Sequence, residues 1–280
     1  MSPARAHLQP VQGLWWHNVV DLGASFVLVG LAIAVLYTVE RLAARFIAKR
    51  LGWNGVLLTG WLGVPLHELS HWIVARMFGH RIVGWKLFEP DPATGTLGYV
   101  RHAYERRNLW QLSGNFFVGI APLGAGGLAL AWLLMSMLHP APEFWRLHSA
   151  GLGTGLDLSG HGWADWAIAL ASNLWHATQR LAVGLWHERT VWLPLQAYVG
   201  VAIASHAAPS PRDLRESLPG LPVVLGVGVL LTGLLALFGY PCQSVGVLAP
   251  LLVLLVAVVV LFQGLYVGTV ALCGMLRKRR

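Results

Sequence analysis

Long apolar runs alternate with short polar segments along most of the chain. An α-helix needs roughly 20 apolar residues to cross about 30 Å of hydrocarbon, and six runs come close to or exceed that length. The pattern therefore predicts an all-α polytopic membrane protein with about six transmembrane helices in a single domain, 1–280. The predicted spans are about Leu22 to Val39, Val56 to Phe78, Leu112 to Leu138, Trp192 to Ala208, Leu221 to Phe238 and Val245 to Met275.

Gly79 is positioned to end the second span as a C-terminal cap. After it the hydrophobic period changes, over residues 82–104. Two β-leaning stretches, Ile82 to Phe88 and Leu97 to Val100, flank a turn segment that contains Pro90, Pro92 and Gly95. This arrangement predicts a β-hairpin. Its exposed edge could pair with an unwound substrate segment by strand addition, or the hairpin could be a plain interfacial anchor.

A long polar and Gly-rich segment separates the third and fourth spans. Pro140 and Pro142 open it, and the stretch from Trp163 to Trp186 has an amphipathic pattern. Amphipathic helices of this kind lie in the plane of the membrane interface. Residues 139–190 are therefore predicted to form an interfacial insertion rather than another span.

Composition supports the membrane class. Hydrophobic residues make up 56% of the chain and charged residues 11%, whereas soluble domains carry roughly a quarter of their residues as charged side chains. The net charge of +8 comes mainly from basic residues between apolar runs and at the C-terminus, which indicates membrane anchoring and no nucleic-acid partner. Only two cysteines are present, so neither a disulfide framework nor a cysteine-rich metal site is available.

The distribution of Lys and Arg predicts an orientation, because cytoplasmic loops are enriched in both. With six spans, the basic segment after the second span and both termini lie in the cytoplasm, and the expected location is a bacterial inner membrane. The basic patch from Arg41 to Arg50 is the exception. The first apolar run has no small-residue cleavage site after it, so we expect a retained helix. The basic residues after the second span are Arg76, Arg81, Lys86, Arg101, Arg106 and Arg107.

His67, Glu68 and His71 form a His-Glu-x-x-His motif inside the second apolar run. Residues four apart share one face of a helix, so both imidazoles can bind one metal ion with Glu68 beside them. The motif predicts one Zn²⁺, which lowers the pKa of a water ligand to about 7, and Glu68 as the general base. Ionisable residues in an apolar helix are functional candidates by default.

The segment from Gly63 to Gly79, GVPLHELSHWIVARMFG, resembles the site-2 protease family of intramembrane metalloproteases. The resemblance implies a motif on a spanning helix, a membrane-associated β-hairpin after it, and a zinc-dependent endopeptidase acting on membrane-embedded proteins near the cytoplasmic face. It covers residues 63–90 and, weakly, 205–214.

The same resemblance implies an Asp as third zinc ligand, here Asp213. Its surroundings, HAAPSPRDL, keep the family's two prolines and acid but are one residue shorter between them, and they lack the family's Asn and the Gly after the Asp. An alternative is that Asp213 is the N-cap of a short helix through Glu216. His206 is the reserve ligand.

Other assignments stay open. Asn115, early in the third span, could bond to a neighbouring helix or donate to the oxyanion of a tetrahedral intermediate.

A membrane zinc protease with its catalytic domain outside the bilayer would use a downstream Glu as third ligand, and no helix with such a Glu is apparent. Outside enzymes, a transporter or a metal-binding membrane regulator could retain the motif without proteolysis, although Glu68 would then have no evident role.

Overall fold

The computed structural model of the chain describes residues 3–138, 192–242 and 244–278. The predicted interfacial insertion, 139–190, lies outside these residues. The described residues are mostly helical, with one small antiparallel sheet. In chain order the elements are α1 (Pro3–Leu51), α2 (Trp53–Met77), β1 (Arg81–Lys86), β2 (Tyr99–Ala103), α3 (Leu109–Leu138), α4 (Trp192–Ala204), α5 (Pro211–Ser217), α6 (Leu221–Leu237) and α7 (Ser244–Lys278).

Three helices of the described chain are long and apolar enough to cross a membrane. The candidate spans are Val11–Leu51 in α1, Leu109–Leu134 in α3 and Ser244–Met275 in α7. A fourth is possible if α5 and α6, which meet at a bend of 58°, form one broken span. The membrane class is supported, whereas the predicted count of six spans is not confirmed.

The second and fourth predicted spans form helices α2 and α4, but neither is among the candidate spans. Helix α4 has 13 residues, and at 1.5 Å per residue it rises only about 20 Å, short of the hydrocarbon thickness. Helix α2 has 25 residues, but His67, Glu68 and His71 lower its mean hydropathy. The polar motif that suggests a function therefore also weakens the membrane signal of its own helix.

The contacts divide the chain into two units, and the first contains the described residues 3–32, 224–242 and 244–254. Asp21 is buried there and accepts the backbone N–H groups of Ser244 (2.9 Å) and Val245 (3.4 Å). These are the first residues of α7, whose N–H groups have no partners within the helix. Asp21 lies inside α1, which begins at Pro3, well before the predicted span.

The second unit contains the described residues 33–138, 192–223 and 255–278, and therefore the whole motif. Helix α2 ends where Gly79 adopts a φ of 74°, in the left-handed region that glycine tolerates. The N–H of Gly79 donates to Arg76 O (3.0 Å) and that of His80 to Ala75 O (2.9 Å). This paired pattern is a Schellman motif, and the predicted role of Gly79 in ending the helix is confirmed.

The predicted β-hairpin follows directly. Strands β1 and β2 pair antiparallel from Arg81 opposite Ala103 to Lys86 opposite Tyr99, with an irregularity between Ile82 and Gly84. The second strand thus lies a few residues further along the chain than predicted. Asp91 supports the connection, because its carboxylate accepts the N–H of Ala93 (2.9 Å) and the hydroxyl of Thr94 (2.8 Å).

Small residues bring the helices of the second unit together. A Cβ on Gly63 would lie 2.2 Å from the Ala202 carbonyl oxygen of α4 and 2.6 Å from the His206 ring. Real Cβ atoms do not approach so closely, so only glycine permits this packing distance. The close approach places α2, one turn before the motif, against α4 and the segment that follows it.

Candidate metal centre

The two histidines of the motif are oriented by backbone carbonyl groups. His67 Nδ1 lies 2.8 Å from His206 O and His71 Nδ1 lies 2.7 Å from Val118 O. A carbonyl oxygen only accepts, so each Nδ1 carries the proton and donates it. In the neutral rings both Nε2 atoms therefore keep a lone pair, the tautomer that metal binding through Nε2 requires.

Asp213 completes a cluster of three potential ligands. The Nε2 atoms of His67 and His71 are 3.2 Å apart. Asp213 Oδ2 lies 3.4 Å from His67 Nε2, and its Oδ1 lies 3.5 Å from His71 Nε2. Metal–nitrogen distances of about 2.0–2.1 Å place two ligand atoms of a tetrahedral zinc about 3.3 Å apart. The spacing and the donor types therefore fit one small divalent cation, and no other group of three His, Cys, Asp or Glu side chains with such spacing occurs in the described residues.

Asp213 also stabilises the start of α5. Ser210 is the N-cap, and its hydroxyl accepts the Asp213 N–H (3.2 Å), while Asp213 Oδ2 accepts the Ser210 N–H (2.7 Å). This reciprocal pair is a capping box. The prediction that Asp213 itself is the N-cap is wrong by three residues. Its cap role and its position beside the histidines are not alternatives, because one carboxylate serves both.

A cavity of about 610 Å³ opens beside the three potential ligands. Glu68 is half-buried on its wall, one residue from His67. Asn115 is 2% exposed, lines the same cavity, and donates to the Leu112 carbonyl of its own helix (3.3 Å). This hydrogen bond lies within α3. An oxyanion role for Asn115 stays a prediction. Residues from α1, the hairpin and the segment 205–216 form the remaining walls.

His206, the reserve ligand, contacts the cluster through its backbone carbonyl rather than through its ring. Its Nε2 lies 3.4 Å from the Thr59 hydroxyl, and its carbonyl accepts the His67 Nδ1 proton. The cluster of three does not include its side chain. A backbone role of this kind leaves no signal in the sequence, because every residue has a carbonyl.

Sequence reasoning missed two histidines at the hairpin, His80 just before β1 and His102 in β2. His80 is 1% exposed, and its Nε2 donates to Gln111 O (2.7 Å). Its Nδ1 therefore accepts from Nδ1 of His102, 3.0 Å away. Burial and the neighbouring His80 lower the pKa of His102 from 6.5 to about 4, although Glu216 opposes the shift. Burial also lowers the pKa of His80. His102 lines the cavity, so a neutral imidazole lies on its wall.

Acidification is expected to destabilise the hairpin through His102. Its folded pKa of about 4 is below the ordinary 6.5, so in this window the unfolded chain binds a proton that the folded chain refuses, and stability falls as the pH drops from 6.5 towards 4. Thermal unfolding between pH 7.5 and pH 5 measures the slope. The variant His102→Phe keeps an aromatic ring that does not titrate, and it is expected to show a shallower slope. Equal slopes in the two proteins would contradict this prediction.

Gly119 allows α3 to approach the helix that carries Asp213. A Cβ at Gly119 would lie 2.4 Å from Ser217 Cβ and 2.6 Å from Asp213 O. Gly119→Ala is therefore expected to displace α5, costing about 1–3 kcal/mol of unfolding free energy by overpacking and weakening metal binding. The matched control is Gly124→Ala on the same helix, where a Cβ meets nothing within 4 Å. Unfolding and zinc titrations of both variants test the difference, and similar results for the two would refute it.

Comparison of the chain with models of protein families, with curated proteins and with solved structures finds no match. The resemblance of the segment from Gly63 to Gly79 to the site-2 proteases stays a prediction from its residues. Support for a function therefore comes from the chain's own side chains and their geometry.

Proposed function

We propose that the chain is a zinc-dependent intramembrane endopeptidase, similar to the site-2 proteases, that hydrolyses membrane-embedded protein substrates near the cytoplasmic face. The observation that carries the proposal is the convergence of three side chains from two distant segments. His67 and His71 present their Nε2 atoms to Asp213 at 3.4 and 3.5 Å. Two imidazoles and one carboxylate, with Glu68 alongside, are a ligand set used by catalytic zinc.

Each residue has a distinct role in this proposal. His67, His71 and Asp213 would hold one zinc ion, which when bound supplies Lewis acidity and a water pKa near 7. Glu68 would accept the proton of the attacking water and deliver it to the leaving amine. The carbonyl groups of His206 and Val118 keep both rings in the tautomer with a free Nε2.

The surroundings of the cluster support hydrolysis inside an apolar protein. Hydrolysis needs water, and the cavity beside the cluster has polar groups from Glu40, Asn115 and Ser205 on its walls. A substrate helix has its own peptide groups hydrogen-bonded, so the peptide must unwind before a water molecule activated by Glu68 can attack its carbonyl carbon. The neighbouring hairpin offers an edge that could receive an extended segment.

Metal removal tests the proposal. The protein would be purified in detergent micelles, stripped with a chelator, and reloaded with zinc while metal content is measured by mass spectrometry. We expect one zinc per chain, and cleavage of single-span membrane substrates that disappears on stripping and returns with zinc. Absence of bound zinc would refute the metal site. One bound zinc with no cleavage across a broad substrate panel would instead favour a metal-binding regulator.

A further inference from the structure

Glu40 is an acidic residue inside the long apolar helix α1, on the wall of the same cavity. Its Oε1 accepts the backbone N–H of Ala208 at 2.7 Å, across 168 positions of sequence. An ionisable side chain in a spanning segment is energetically expensive and is a functional candidate by default. The bond joins α1 to the short segment between α4 and α5.

That segment is the one that orients the potential zinc ligands. The carbonyl of His206, two residues before Ala208, accepts the Nδ1 proton of His67 at 2.8 Å. Two residues after Ala208, Ser210 is the N-cap of α5 and forms the capping box with Asp213. The N–H accepted by Glu40 thus lies midway between the carbonyl that orients one ligand and the cap that orients another.

Apart from the bonds to Glu40, the backbone N–H groups of residues 206–211 bond only locally or are absent. Pro209 and Pro211 have no N–H to donate, and the His206 N–H is used by Ile203 O (3.0 Å) at the end of α4. The Ser210 N–H is used by Asp213 itself. Among the described residues, this stretch bonds to α1 through the Glu40 carboxylate, which accepts the backbone N–H of Ala208 and that of the neighbouring Ala207.

We infer that Glu40 is a positioning residue of the metal centre: its carboxylate fixes the segment 206–209, and through it the tautomer and direction of His67 and the placement of Asp213. The inference rests on the proposed zinc site and adds a residue from a third helix to it. Groups that orient metal ligands from outside the first coordination shell are typically worth about 10–100-fold in metal affinity. The geometry requires residue 40 to place an acceptor oxygen within hydrogen-bond distance of the Ala208 N–H, and it does not require a charge.

Two conservative variants separate the position of the acceptor oxygen from the charge of the side chain. Glu40→Gln keeps an amide oxygen at the same distance and removes the charge, whereas Glu40→Asp keeps the charge and withdraws the acceptor by one methylene. Glu40→Leu removes both. The matched control is Thr38→Leu, at an exposed position of the same helix where the hydroxyl donates to Ala34 O, one turn earlier (2.7 Å).

Zinc affinity by chelator competition and the absorption spectrum of the Co²⁺-substituted protein are the readouts, with no need for a substrate. We expect Glu40→Asp and Glu40→Leu to bind zinc about 10–100-fold more weakly and to show altered Co²⁺ bands. Glu40→Gln and Thr38→Leu should resemble the parent in both measurements. If Glu40→Leu fails to fold, the comparison of Asp with Gln still decides.

The inference is overturned if Glu40→Asp binds zinc as tightly as the parent with unchanged Co²⁺ bands. It is also overturned if Glu40→Gln loses as much affinity as Glu40→Asp, because charge rather than reach would then be the requirement. A parent protein that binds no zinc would refute the proposed function itself. The two failures are therefore distinguishable.

Discussion

Replacing Glu68 by Gln is expected to reduce peptide hydrolysis by about 10²–10⁴-fold while zinc remains bound, because a positioned general base contributes about that factor. The amide has nearly the same shape as the carboxylate, so α2 and the neighbouring ligands should be undisturbed. Glu68 is not a member of the His67, His71 and Asp213 cluster, which is why activity and zinc content should separate. Single-turnover cleavage and metal analysis of the same preparation measure both.

A matched control for this variant exists in the same cavity. Glu216 also lines it, and its carboxylate is paired with Arg212 at 2.9 Å, with both side chains largely exposed. Exposed ion pairs of this type are worth little, so Glu216→Gln should cleave at nearly the parent rate. Undiminished cleavage by Glu68→Gln would rule out the general-base role. Loss of zinc together with activity would show that the residue acts on the site's structure instead.

The second large effect is expected at Asp213. Asp213→Ala removes a potential ligand, and zinc affinity should fall by more than about 100-fold, since even outer partners of a metal site are worth about 10–100-fold. Titration with zinc under chelator buffering gives the dissociation constant. The same substitution also removes the acceptor of the Ser210 N–H, so part of its effect could come from loosening α5.

Two further variants separate ligation from capping. Asp213→Asn retains an oxygen that can accept the Ser210 N–H but is a neutral and weaker ligand, and it should lose most of the zinc affinity. Ser210→Ala removes the other half of the capping box, costs about 1 kcal/mol of stability, and leaves the carboxylate in place. Full zinc affinity in Asp213→Ala would mean that another residue is the third ligand.

The sequence was most informative where the determining geometry is local. The His67 to His71 spacing places two imidazoles on one helix face, and Gly79 and the turn residues after it predicted the helix end and the hairpin that the structure contains. All of these depend on residues within a few positions of one another. The general membrane class followed in the same way from the length of the apolar runs.

Features that depend on tertiary contacts were less accessible. The count of six spans is not confirmed by the described helices, because the apolar run from Trp192 to Ala208 contains a helix of only 13 residues. Ser210, rather than Asp213, is the cap, since the choice depends on which side chain turns back to the helix start. Glu40 was missed as a candidate because the first span was predicted to end at Val39, although an acid beside an apolar run is a signal of function.

The double use of the Asp213 carboxylate links ion binding to helix folding. One oxygen, Oδ2, accepts the Ser210 N–H and also lies 3.4 Å from His67 Nε2, so conformations in which α5 has unwound would also lack the third ligand. A ligand that binds only the ordered form stabilises it by about 1.4 kcal/mol for each tenfold rise in free concentration above its dissociation constant. Amide exchange in α5 should therefore slow as free zinc rises, and this short helix would report the zinc supply of the surrounding compartment.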